Sequence, residues 1–214
     1  NVVTGLSKAC QENGCSLIGG ETAEMPGFYQ DGEYDISGTI VGVVDRKQML
    51  PNRKISKGDI LLGLPSTGLH TNGYSLARKV LISKYNVDTY LESIDSTIGE
   101  ALLQIHKSYL GIVGPILEKK WLKGVSHITG GGIYNNTMRI LKKGQDLNIN
   151  WNAWERPAIF NLIQEIGSVP EDDIRQSMNL GIGLILIVKQ SNLDDCLQYL
   201  ENLNEPYFNI GEVI

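Results

Sequence analysis

The chain has 214 residues, of which 42% are hydrophobic and 20% are charged, a balance typical of globular proteins rather than disordered or fibrous ones. Its formal net charge is −5, and like charges do not cluster in runs, so we expect no nucleic-acid partner. The longest aliphatic run, residues 184–188, is far shorter than the ~20 residues of a membrane-spanning helix, so we expect no membrane partner either.

The cysteines and the first residue indicate where the protein works and how much of it is present. Three cysteines without metal-ligand spacing argue against a disulfide framework and a zinc site, and they favour a reducing, cytoplasmic location. The chain begins with Asn1 rather than methionine, and no secretory signal follows. We therefore expect a piece of a longer polypeptide.

The first part of the chain predicts a helix, two strands and a linker. Apolar residues recur at helical spacing until Gly14, a typical stop signal. Residues 15–19 and 34–44 are rich in apolar and β-branched side chains and are predicted as strands. The polar stretch 45–58 is predicted as a linker, with a domain boundary near Ile55.

The rest of the chain alternates irregularly between strand and helix patterns. Strands are predicted at residues 59–64, 124–129, 146–151, 182–188 and 207–213. Helices are predicted at residues 73–85, 98–106, 109–121, 133–141, 157–166 and 193–203. This order predicts an α+β fold, a layered mixed sheet with helices.

Two glycine turns, residues 63–71 and 125–136, share one design: a strand, a histidine, a hydroxyl side chain and glycines, then a helix. The first matches the start of a phosphate-binding P-loop but has Leu69 where the lysine belongs, so it is not a P-loop. Backbone N–H groups at such glycine turns can bind phosphate without net positive charge. Pattern alone equally allows two structural turns whose histidines bond to the backbone. His106 is predicted to be an ordinary surface or core residue of its helix.

An acidic glycine loop lies near the start of the chain, with Glu21 and Glu24 three residues apart. Carboxylates of this kind suit Mg²⁺ or a proton-transfer role. A solvated loop in which Glu21 caps a turn fits the pattern equally well.

Four motifs together resemble one enzyme family. They are GGETAEMPG at residues 19–27, YDISGTIVGVV at 34–44, STGLHTNGYSLAR at 66–78 and HITGGG at 127–132. In order and spacing, across the whole chain, they resemble the aminoimidazole ribonucleotide synthetase family, also called phosphoribosylformylglycinamidine cyclo-ligases.

The resemblance implies an ATP-dependent ring closure in purine biosynthesis. ATP would phosphorylate the formyl amide oxygen of formylglycinamidine ribonucleotide, and a nitrogen of the same molecule would then displace the phosphate to form the imidazole ring. ATP and Mg²⁺ are the implied cofactors, and a homodimer is implied for the full-length enzyme. Phosphoryl transfer of this kind depends mostly on positioning and charge stabilisation.

The resemblance also implies roles for residues in the motifs. The implied catalytic residues are His70, His127 and Glu21. The implied substrate-binding residues are Thr22, Glu24, Thr71, Asn72, Thr129, Gly130, Gly131 and Gly132. No metal ligand is assigned.

The family's N-terminal ATP-binding half carries a D-G-V-G-T-K type motif that this sequence lacks. The resemblance thus implies that residues 1–55 are the C-terminal part of that half, an α/β domain, with a linker, and that residues 56–214 are a complete C-terminal α+β domain. We expect the chain alone not to turn over substrate. The alternatives are another ATP-using member of the same superfamily, or a noncatalytic dimerisation or support module of a larger purine enzyme.

Overall fold

A computed structural model describes residues 2–51 and 54–214 and divides them into two compact units, residues 2–46 and a second unit from Lys47 to Ile214. Asn1 and the predicted linker residues 52–53 lie outside the described residues.

The first unit contains one helix, α1 (Val2–Glu12), followed by Gly14 in a left-handed conformation with φ 63°, which confirms the predicted helix and its stop. The strands predicted at residues 15–19 and 34–44 are wrong, since residues 2–46 form no strand. A strand needs a neighbouring strand to satisfy its backbone groups, and this unit supplies none among its described residues. Apolar side chains in the two segments predicted as strands face solvent; Val43, for example, is 100% exposed.

The second unit contains seven strands and seven helices in the part of it that the structure describes. The strands are β1 (Ile60–Pro65), β2 (Tyr90–Leu91), β3 (Ser96–Thr97), β4 (Leu122–His127), β5 (Leu147–Ile149), β6 (Ile182–Val188) and β7 (Phe208–Val213). The helices are α2 (Tyr74–Ala77), α3 (Ile98–Leu102), α4 (Leu110–Val113), α5 (Gly132–Met138), α6 (Ala158–Gly167), α7 (Glu171–Ser177) and α8 (Leu193–Asn202). Every element predicted after the linker is present, several of them shortened, whereas α7 and the β2–β3 pair have no predicted counterpart.

Five strands form one sheet in the order β4-β6-β1-β7-β5. The α+β class is therefore confirmed, but all four described pairings in this sheet are antiparallel, so the predicted mixed sheet is corrected. Helices between strands usually indicate parallel crossovers. Here consecutive strands of this sheet are never neighbours in it, and the pattern of the sequence does not reveal that order.

Strand β6, which lies between β4 and β1, is buried on both faces and packs against two apolar layers. Alternate side chains such as Leu186 pack with α4 and α8 on one face, around Ile112 and Leu200. The intervening side chains such as Ile185 pack on the other face, together with Ile133 of α5. A third cluster joins α2, α3, α6 and α7. In the described parts of the chain no helix combines the length and apolar character required to cross a bilayer.

Candidate functional site

The two predicted glycine turns leave the sheet at the same edge. β1 and β4 each pair antiparallel with β6, so β1 and β4 run parallel to each other. Their last residues, Pro65 and His127, both lie opposite the beginning of β6. The strand order therefore places the two turns side by side.

The turn after β1 has an unusual backbone. His70 and Thr71 are both left-handed, with φ 53° and 62°. Such angles are rare for residues other than glycine and persist only where the surroundings fix them. Asn179 supplies part of that support: its amide nitrogen donates to the carbonyl oxygen of Gly68 (2.9 Å), and its amide oxygen accepts from the Ser66 hydroxyl (2.9 Å). The sequence pattern gives Asn179 no such role.

His70 is buried, with 1% of its surface exposed. Its Nε2 accepts hydrogen bonds from the backbone N–H groups of Thr67 (2.9 Å) and Lys107 (3.3 Å). The Thr67 hydroxyl oxygen also lies 2.9 Å from Nε2, but the two backbone N–H donors make Nε2 an acceptor, so the proton of the neutral ring is on Nδ1, which has no partner among the described residues. Burial, reinforced by the positive charge available to His106 and His127, lowers the pKa of His70 to about 4, so this ring is neutral near pH 7.

His106 joins the two turns. Its ring stacks on His70 with 4.1 Å between ring centroids and 17° between ring planes. Its Nε2 lies 3.3 Å from Nε2 of His127, and its Nδ1 lies 3.3 Å from the Thr71 hydroxyl oxygen. Burial, followed by the nearby His127, lowers the pKa of His106 below its ordinary value. The three histidines of the sequence therefore form one cluster, which we call the histidine cluster.

The position of His106 corrects the helix predicted over residues 98–106. α3 ends at Leu102, and the following segment is held against the first turn. The Thr67 hydroxyl donates to the carbonyl oxygen of Ile105 (2.6 Å), and the N–H of Lys107 donates to His70. Helical periodicity does not report such contacts, so no sequence pattern indicates a role for His106.

The turn after β4 is organised by Asn136 of α5. The Thr129 hydroxyl donates to the Asn136 amide oxygen (2.9 Å), and the Asn136 amide nitrogen donates to the carbonyl oxygen of Gly132 (2.7 Å). The backbone N–H groups of Gly130 and Gly131 have no acceptor among the described residues. They are available to an anionic oxygen.

The glycines of this turn serve different purposes. Gly132 is left-handed with φ 65°, and a Cβ there would lie 1.9 Å from the carbonyl oxygen of Arg175, so this residue allows α5 to pack on α7. A Cβ at Gly130 would lie 3.7 Å from the side-chain oxygen of Asn72. Asn72 of the first turn and Gly130 of the second are thus neighbours.

The second unit brings together the predicted site residues His70, Thr71, Asn72, His127, Thr129, Gly130, Gly131 and Gly132. Glu21, Thr22 and Glu24 lie in the first unit, in an exposed segment without regular secondary structure. Their roles stay predictions. Within residues 2–51 and 54–214, no group of three or more histidine, cysteine or acidic side chains is arranged to hold a metal ion.

Comparison with known families gives the class of the protein. The model of the AIR synthase related protein C-terminal domain matches residues 56–214, and that of the corresponding N-terminal domain matches residues 1–44. The chain belongs to the AIR synthase related protein family.

Its relatives carry a more specific name. The chain is 43% identical over 215 residues to the phosphoribosylformylglycinamidine cyclo-ligase of Alkaliphilus metalliredigens, covering 100% of this chain and 62% of the relative. It is 45% identical over 212 residues to that of Desulfitobacterium hafniense, covering 99% of this chain and 62% of the relative. It is 41% identical over 213 residues to that of Pseudothermotoga lettingae, covering 100% and 63% respectively. The chain thus spans less than two thirds of the length of these relatives.

The first prediction concerns Gly183 of β6. A Cβ there would lie 2.1 Å from the Tyr109 hydroxyl oxygen and 2.8 Å from Nδ1 of His70. We expect Gly183→Ala to lower the free energy of unfolding in urea by about 1–3 kcal/mol, because both the Tyr109 hydroxyl and the ring of His70 must move. Adding Tyr109→Phe removes the nearest atom and should restore part of the loss. Gly111→Ala is the control, since a Cβ there meets nothing within 4 Å. Equal stability of Gly183→Ala and the control would contradict the packing described.

The second prediction concerns pH. His70 has a pKa of about 4 when folded, against an ordinary value of 6.5. Between these values the unfolded chain binds more protons, so stability should fall as the pH falls. The difference between the two pKa values corresponds to about 3 kcal/mol of unfolding free energy. We expect the loss of unfolding free energy between about pH 7 and about pH 4 to be roughly 2–3 kcal/mol smaller in His70→Gln than in the unaltered chain. Parallel pH profiles would show that His70 is not buried as a neutral ring.

Proposed function

We propose that this chain is part of an ATP-dependent cyclo-ligase that converts formylglycinamidine ribonucleotide to aminoimidazole ribonucleotide in de novo purine biosynthesis. The relatives named phosphoribosylformylglycinamidine cyclo-ligase, at 41–45% identity, support this proposal. In it, residues 1–55 are the C-terminal part of an ATP-binding N-terminal domain with a linker. Residues 56–214 are the C-terminal α+β domain.

The observation that carries the proposal is the meeting of the two turns at one edge of the sheet. It combines free backbone N–H groups at Gly130 and Gly131, the amide of Asn72 and the exposed ring of His127. The backbone N–H groups and the Asn72 amide can bind the oxygens of a phosphorylated substrate although the chain has a net charge of −5, and the ring of His127 can contact another part of the same molecule. The second stage is intramolecular, so holding the substrate in one orientation supplies much of the rate.

The two predicted catalytic histidines take different parts in this proposal. His127 is exposed at the end of β4 and is the histidine that contacts substrate. His70 is buried, and its Nε2 accepts from two backbone N–H groups, so it supports the site as a positioning residue. Thr71 and Thr129 fix the two turns through their hydroxyl groups.

ATP and Mg²⁺ enter the proposal through the family resemblance. The exposed carboxylates of Glu21 and Glu24 have the hard oxygen donors that Mg²⁺ prefers, and nucleotide phosphates commonly complete its coordination shell. One of these carboxylates would hold the metal, which would supply charge neutralisation on the phosphates, or would instead accept a proton. A cytoplasmic homodimer is the proposed form of the full-length enzyme.

Calorimetric titration tests the proposal through binding, since the chain spans 61–64% of the length of its relatives. We expect formylglycinamidine ribonucleotide to give saturable heat with the 214-residue chain. His127→Ala should weaken that binding by about 5- to 150-fold, the range set by losing one hydrogen bond worth about 1–3 kcal/mol.

Lys143→Ala, exposed in the turn between α5 and β5, is the matched control and should bind as the unaltered chain does. No saturable heat, or equal binding by His127→Ala, would contradict the proposal and favour a noncatalytic support module. Saturation by a different phosphorylated ligand, with none by this ribonucleotide, would favour another member of the superfamily.

A further inference from the structure

The hydroxyl of Thr71 determines where the protons of the histidine cluster lie. This hydroxyl donates its single proton to the carbonyl oxygen of His70, at 2.6 Å. Its oxygen can therefore only accept from the Nδ1 of His106, which lies 3.3 Å away. It follows that His106 carries a proton on Nδ1.

The proton position on His106 also determines the proton position on His127. A neutral imidazole carries one proton, so a His106 ring protonated at Nδ1 has a bare Nε2 that can only accept. Nε2 of His127 lies 3.3 Å from that atom and must be the donor. Nδ1 of His127 has no partner among the described residues. His127 thus donates to His106, His106 donates to the Thr71 hydroxyl, and that hydroxyl donates to the carbonyl oxygen of His70.

We propose that His106 is a positioning residue that fixes the tautomer of His127, holding the proton on Nε2 and leaving Nδ1 as a free acceptor. No motif in the sequence points to this role. A histidine at position 106 supplies both atoms that the arrangement needs, an Nδ1 donor for Thr71 and an Nε2 acceptor for His127.

The surroundings of His106 favour the neutral ring that this role requires. The ring is half-buried and stacks on His70, which is itself neutral. A positive charge on His106 would face the ring of His127. Burial and these neighbours therefore keep His106 an acceptor at Nε2.

The chemical class of group that His127 recognises follows from its tautomer, and this step rests on the proposed function. A bare Nδ1 matches an N–H donor, such as an amidine N–H of the substrate. It does not match an unprotonated phosphate oxygen. The role proposed for neutral His127 is therefore that of a hydrogen-bond acceptor.

Nitrogen NMR tests the tautomers directly in the 214-residue chain labelled with ¹⁵N-histidine. Long-range proton–nitrogen spectra at about pH 8, above the ordinary histidine pKa of ~6.5, distinguish protonated from bare ring nitrogens. We expect His127 to be protonated at Nε2 alone and His106 at Nδ1 alone. A His127 protonated at Nδ1 would overturn the proposal.

Three variants separate positioning from simple packing. His106→Phe keeps a ring against His70 but lacks both nitrogens, so the ¹⁵N shifts of His127 should move to those of a tautomer mixture. His106→Gln provides an amide oxygen as an acceptor and should restore the single Nε2–H form. Thr71→Val removes the acceptor for His106 and should abolish its single tautomer.

Backbone amide spectra report whether each variant folds. An unchanged His127 in a folded His106→Phe, or an unchanged His106 in a folded Thr71→Val, would overturn the proposal. The shifts are measured without substrate, so a result against the proposed tautomers would leave the binding test of the proposed function valid. Failure of substrate binding, in turn, leaves the tautomer measurement intact.

Discussion

The antiparallel pairing of β6 with both β1 and β4 is the constraint on which the candidate site depends. Because both strands run against the same neighbour, their C-terminal ends meet at one edge, about 10 Å apart by ordinary strand spacing. The turns that follow can then contact each other and share His106. Gly183 completes this arrangement, since only a residue without a side chain leaves room for Tyr109 and His70 above β6.

Local pattern was sufficient for the elements that are buried within the second unit. β6 was predicted at its observed bounds, residues 182–188, because it is buried on both faces and reads as a continuous apolar run. Residues 34–44 have an equally strong β pattern but form no strand, because a strand also requires a partner, which the described part of the first unit lacks. Propensity indicates what a segment can form, and pairing decides whether it does.

Local sequence pattern also predicts part of the candidate site. His70, His127 and the glycines stand in motifs whose spacing is visible in the sequence. His106 does not, since its role comes from hydrogen bonds that Thr67 and His70 make to the segment 105–107. Asn179 is similar: it supports the first turn from a position more than one hundred residues away in sequence, and only the strand order brings it there. The properties of the histidine cluster depend on the burial of its rings and on which ring nitrogens carry protons, and neither can be read from the net charge of the chain.

The central claim, that the strand order joins the three histidines in one cluster, is tested most directly by the distances between their rings. Nuclear Overhauser spectra of the histidine-labelled chain should show ring-proton cross-peaks between His70 and His106 and between His106 and His127, whose centroids lie 4.1 Å and 5.4 Å apart. Absence of both cross-peaks in a chain with well-dispersed amide signals would show that the two turns do not meet, and would contradict the account.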